Sequence, residues 1–144
     1  MIISRQFHGT SLANADGILA EGAHKTPGTL GHGFYTTPDV EQAKDYETTF
    51  RDDRPDSVTV NLPGRALISG DVVARSPATY RSERDARNHA LHLGLNGLHQ
   101  LGDYLHRSGH DAVTVAGTTV SFEPDSFHPK ELQVDDDGVW TNLR

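Results

Sequence analysis

Three stretches of this chain combine residue types that can do chemistry at workable spacings. The first is Phe7-His8-Gly9-Thr10-Ser11. A glycine beside a histidine lets a ligand reach backbone N–H and C=O groups, and Thr10 adds a hydroxyl, so one strand end offers donors and an acceptor that suit a planar carboxamide. A histidine placed after a strand also fits a purely structural role. The second stretch, GHGFYTTPDVEQAKDY, sets Tyr35 and Tyr46 eleven residues apart across a strand end and a helix entrance. A chain that turns between them brings two aromatic faces to one slot for a flat ring, with added attraction for a cationic one. The same tyrosines equally suit core positions with a solvated hydroxyl. The third stretch, DAVTVAGTTVSFEP, reads as a strand pair near the end of the chain.

Two further clusters look like metal sites and fail on geometry. His89, His92, His99 and His106 recur at spacings of three and seven. Heptad steps at a rise near 1.5 Å per residue lie about 10 Å apart, too far for one ion, so the stripe reads as a polar, pH-sensitive face. Asp135-Asp136-Asp137 reads as a solvated turn, because three adjacent side chains do not converge.

The elements that must position these residues follow from periodicity. Residues 2–7 read as a strand running into His8, and Ser11 opens a short amphipathic helix carrying Leu12, Ala15, Ile18 and Leu19 that Gly22 closes. Residues 23–32 have the Gly and Pro content of a loop, 33–37 of a strand, and Asp39 to Phe50 of a second helix entered through Pro38. A solvated loop at 51–57 leads to an alternating strand at 57–62, and 64–73 reads as a further apolar run ending in an edge. One long helix is expected over Ser82 to Arg107, with Leu91, Leu95, Leu98, Leu101 and Leu105 on a broad face and Gly94, Gly97 and Gly102 as weak points. Strand-like runs at 111–116, 118–124 and 131–134 complete an α+β order with much antiparallel sheet.

Composition bounds the function classes. With 144 residues, 35% hydrophobic and 23% charged, the chain supports one compact domain over 1–144. It has no cysteine, which removes disulfides, thiolate zinc sites and a cysteine nucleophile. A net charge of −7 disfavours a non-specific nucleic-acid coat. No stretch approaches the roughly 20 apolar residues of a membrane span, and MIISRQFHGT lacks the apolar core of a signal peptide, so a cytoplasmic location is expected.

The ordered blocks FHGTSLANADGILAEG, GHGFYTTPDVEQAKDY and HDAVTVAGTTVSFEPDSF together resemble the ADP-ribosyltransferase fold family, in its diphtheria-toxin and poly(ADP-ribose) polymerase type with a His, Tyr, Glu signature. The resemblance implies an antiparallel split sheet with flanking helices, NAD as co-substrate, and no metal. By the same resemblance, His8 hydrogen-bonds a ribose hydroxyl, the Gly9 backbone pairs with the nicotinamide carboxamide, and Tyr35 and Tyr46 sandwich the nicotinamide. Thr10 matches a small hydroxyl residue beside carboxamide and ribose, while Ala43 stands where family members commonly offer a serine. The third signature position lands on Thr118, which cannot be an anion. Family members without that glutamate are associated with single ADP-ribose transfer or with lost activity. Asp71, which follows a strand-like run as the acid does in the rifampin-modifying branch, is the expected substitute, whereas Glu123 reads as a turn acid before Pro124. The implied activity is mono-ADP-ribosyl transfer from NAD to a protein, nucleic-acid or small-molecule acceptor. Two alternatives stay open: an RNA 2′-phosphotransferase-like enzyme grasping phosphate through Arg75, Arg81, Arg84 and Arg87, and a domain that binds NAD or ADP-ribose without turnover.

Overall fold

The computed structural model describes residues 2–23, 25–44, 65–136 and 139–143. In chain order these form β1 (Ile2–Ser11), α1 (Leu12–Glu21), β2 (Thr26–Gly28), β3 (Gly31–Thr36), a helix α2 described over 40–44, β4 (Arg65–Val73) and β5 (Pro77–Tyr80). They continue as α3 (Glu83–His92), α4 (Leu98–Arg107), β6 (Ala112–Val115), β7 (Thr118–Ser121), a 3-10 turn at Pro124–Ser126, β8 (Phe127–Asp136) and β9 (Val139–Asn142). Ser11 ends the first strand and starts the first helix, its hydroxyl accepting from the Asn14 N–H at 3.1 Å, and Gly22 closes that helix at φ 97°.

The strands form two sheets in an α+β arrangement. One has the order β1-β4-β8-β9 and is antiparallel throughout; the other has the order β2-β3-β7-β6-β5. Antiparallel pairing prevails there too, in line with the expected α+β order, and β5 lies parallel to β6. Parallel neighbours need a long crossover, and α3 with α4 supplies it. Among the described residues an isolated bridge joins the two sheets, where the Phe7 N–H donates to the Thr37 carbonyl at 2.7 Å and the Thr37 N–H to that of Phe7 at 3.0 Å. Beside it, the buried Thr36 hydroxyl donates to the Gln6 side-chain carbonyl at 3.0 Å.

One core lies between the sheets, with Ala15 and Ile18 of α1, Ala66, Ile68 and Val72 of β4, and Phe34 of β3. Another lies between the opposite face of the second sheet and the helices, with Ala86, Ala90, Leu98, Leu101 and Leu105 against Val113 and Val120. The second sheet is therefore covered on both faces.

Several expectations need correction. The single helix over 82–107 is two helices, because Gly94 and Gly97 take left-handed backbone at φ 75° and 101° and turn the chain. The break also rotates the apolar stripe, which leaves Leu91 72% exposed while Ala86 and Ala90 face inward. The loop expected over 23–32 contains β2, and the following strand begins at Gly31. The run 64–73 is not an edge: β4 lies between β1 and β8. Asp135 belongs to β8 rather than to a turn, and it accepts from Arg65 Nε at 3.0 Å. The expected elements at 45–62, and Tyr46 with them, lie outside the described residues.

Candidate functional site

A cavity of about 390 Å³ opens where the two sheets diverge, within the size range of about 300–1,000 Å³ usual for small-molecule sites. The first sheet contributes Phe7, His8 and Gly9 to its lining, β3 and its entry turn contribute Leu30 and Tyr35, and β7 contributes Thr118 and Val120. Ala43 of α2, Glu83 at the start of α3 and Leu98 at the start of α4 close it.

Strand register explains the convergence. Tyr35 pairs with Val120 across β3 and β7, and Thr118 stands two residues from Val120 on the same face. His8 reaches the cavity from the neighbouring sheet, its ring lying 4.3 Å from the Phe34 ring at a 32° tilt. Its Nδ1 is 2.8 Å from the Tyr35 carbonyl, an acceptor only, so Nδ1 carries the proton and Nε2 is left as an acceptor. Burial pushes the His8 pKa below its ordinary value, more than the carbonyl bond raises it. The imidazole is therefore neutral at pH 7.

Tyr35 is fixed at its far end. Its hydroxyl donates to the Gly31 carbonyl at 2.6 Å and accepts from the Leu30 N–H at 3.0 Å, folding the ring over the turn between β2 and β3. The ring passes so close to Gly28 that a Cβ there would meet the phenol carbon Cζ. A pre-positioned aromatic face results.

Gly9 answers a steric demand that was not evident from its neighbours. A Cβ at Gly9 would collide with the Ala43 carbonyl, so glycine lets α2 seat on β1. That helix is set by Asp39, whose Oδ1 accepts from the Glu41 and Gln42 N–H groups at 3.0 and 3.3 Å. Phe7 turns its N–H and C=O toward Thr37, and strand geometry repeats every two residues, so those of Gly9 lie on the same edge, away from β4.

The structure thus brings His8, Gly9, Tyr35 and Thr118 to one cavity. It does not bring Thr10 or Asp71 there. Thr10 is buried on β1 opposite Ala66. Asp71 stands farther along β4, opposite a bulge in β1 where Arg5 takes a left-handed backbone at φ 58°. Its carboxylate accepts from the Arg5 N–H at 3.0 Å and pairs with Lys130 at 2.7 Å; the lysine, then the N–H, hold its pKa below the usual value. Glu123 is also engaged elsewhere, 3.2 Å from His106 Nε2. Among the lining residues that sequence reasoning missed, Glu83 carries a carboxylate, which also pairs with Arg87 at 2.8 Å.

The histidine stripe disperses across two helices. His89 bonds the Tyr80 hydroxyl at 2.7 Å, His99 faces Asp103 at 3.9 Å, and His106 stacks on Phe122. Among the described residues no three histidine or carboxylate side chains are grouped to hold a metal ion, and no helix is long and apolar enough to cross a membrane. Neither the protein-family models nor the curated protein sequences contain a match to this chain.

Proposed function

We propose that the chain binds NAD in the cavity between the sheets and transfers a single ADP-ribose from it to an acceptor, on an ADP-ribosyltransferase-like split-sheet scaffold. The observation that carries this reading is the convergence of His8, Gly9 and Tyr35 from two separate sheets on one cavity. These residues fit the substrate chemically. The free backbone edge at Gly9 offers a donor and an acceptor to a carboxamide, Tyr35 offers a rigid face to the nicotinamide ring, and neutral His8 offers Nε2 to a ribose hydroxyl. In the reaction, the bond between ribose C1′ and the nicotinamide nitrogen breaks with its electron pair going to the nitrogen. A nucleophile of the acceptor bonds C1′ and gives up its proton to solvent. The chain lowers the barrier by orientation and by placing electrostatic groups against the cationic ribose.

The RNA phosphotransferase alternative gains no support from the cavity. Arg75, Arg81, Arg84 and Arg87 are all exposed and outside its lining. Titration calorimetry with NAD, followed by nicotinamide release with and without candidate acceptors, tests the proposal. Saturable binding with release is expected. Binding without release leaves an NAD-binding domain, and no binding removes the proposal.

A further inference from the structure

We infer that Glu83 is the carboxylate that faces the ribose as nicotinamide leaves, a role that Thr118 cannot fill and that Asp71 and Glu123 do not reach; this rests on the NAD reading above. Among the described residues lining the cavity, Glu83 is the one with a carboxylate. It shares the lining with Val115, Ala116 and Thr118, the residues around the turn from β6 to β7 where the signature acid is missing. Its backbone is fixed, because it opens a helix whose cap, Ser82, accepts from the Asp85 N–H at 3.1 Å. Its side chain is adjustable, since it and its partner Arg87 are each more than half exposed, at 59% and 55%. An exposed pair one helical turn apart costs little to open, so the carboxylate can swing from Arg87 to a cation in the cavity. Asp71, which holds the Arg5 bulge and Lys130, and Glu123, beside His106, are both outside the cavity lining.

With water as nucleophile the chemistry closes without another reagent. The C1′–N bond electrons leave with neutral nicotinamide, water oxygen bonds C1′, and its proton goes to solvent. Glu83 contributes charge next to the transient oxocarbenium and forms no bond.

The test compares wild type, Glu83→Gln, Glu83→Asp and, as a control in the same first turn, Asp85→Asn. Three quantities are measured: NAD affinity, nicotinamide release in water, and affinity for ADP linked to a protonated hydroxypyrrolidine, which mimics the cationic ribose. Glu83→Gln is expected to keep NAD affinity within about threefold, to lose at least about tenfold in release, and to lose about tenfold in affinity for the cationic probe. Glu83→Asp should recover part of both losses, and Asp85→Asn should match wild type. Wild-type release and probe affinity in Glu83→Gln would overturn the role of Glu83 while leaving the NAD reading intact. A wild-type protein that neither binds NAD nor releases nicotinamide would overturn both.

Discussion

At the scale of single residues, His8 couples the site to pH. Its partly buried ring has a pKa below the ordinary 6.5, so as acid is added the unfolded chain takes up that proton before the folded one does. The contribution of His8 to stability is therefore complete above about pH 6.5 and declines as pH falls toward the folded-state value. Urea denaturation of wild type and His8→Asn at pH 7.5 and 5.5 checks this. The variant should lose less stability than wild type over that interval, and equal losses would show that the ring is solvated. Tyr35 gives a second test, because its ring and its hydroxyl do different work. Tyr35→Phe removes the partner of both the Leu30 N–H and the Gly31 carbonyl, and should cost about 1–3 kcal/mol by thermal denaturation while preserving NAD affinity. Tyr35→Ala should lose both stability and affinity. A Tyr35→Phe protein as stable as wild type would mean that the turn holds without its hydroxyl.

At the scale of elements, close backbone approaches decide where helices sit. Gly102 lies in the middle of α4, where a Cβ would run into the Leu30 carbonyl, so this glycine lets α4 press onto the turn that holds the Tyr35 hydroxyl. Gly102→Ala should cost about 1–3 kcal/mol through overpacking, although alanine is the better helix former. A more stable variant on thermal denaturation would refute that seat. The sequence signalled Gly102 only as a weak point, because a glycine that breaks a helix and one that admits a neighbour look alike without the neighbour's coordinates. Gly94 and Gly97 do break the helix, as their spacing allowed. The capped start of α1 at Ser11 and the apolar run in β4 were legible because local chemistry determines them. The strands β5 and β9 were not legible. Each has four residues and lies at a sheet edge, so its conformation is set mainly by the strand it pairs with. Site legibility divides the same way. His8 with Gly9 and Tyr35 stood out as residue clusters, whereas Glu83, distant in sequence from all of them, joins the cavity only because the crossover from β5 to β6 carries α3 there.

At the scale of the whole molecule, the candidate site lies where the fold is least continuous. Each sheet has its own ladder, and the described hydrogen bonds between β1 and β3 are the Phe7–Thr37 bridge, the Gln6–Thr36 pair and the His8–Tyr35 contact. A ligand that pairs with the Gly9 edge and stacks on Tyr35 touches both sheets, so its binding energy resists their separation. Under the proposed function, NAD at about 100 times its dissociation constant should stabilise the fold by about 2.7 kcal/mol, observed as a rise in melting temperature. Part of that gain should appear as slower hydrogen exchange at the Phe7 and Thr37 amides, which bridge the sheets and open when they part. Amides of the β4–β8 ladder, inside one sheet, should gain protection only to the extent that global unfolding becomes rarer. Nicotinamide alone should protect the bridge less than NAD does, since it lacks the ribose that engages His8. If NAD raised the melting temperature while leaving exchange at Phe7 and Thr37 unchanged relative to the β4–β8 amides, the ligand would be seated away from the split, and Gly9 with Tyr35 would no longer define its site.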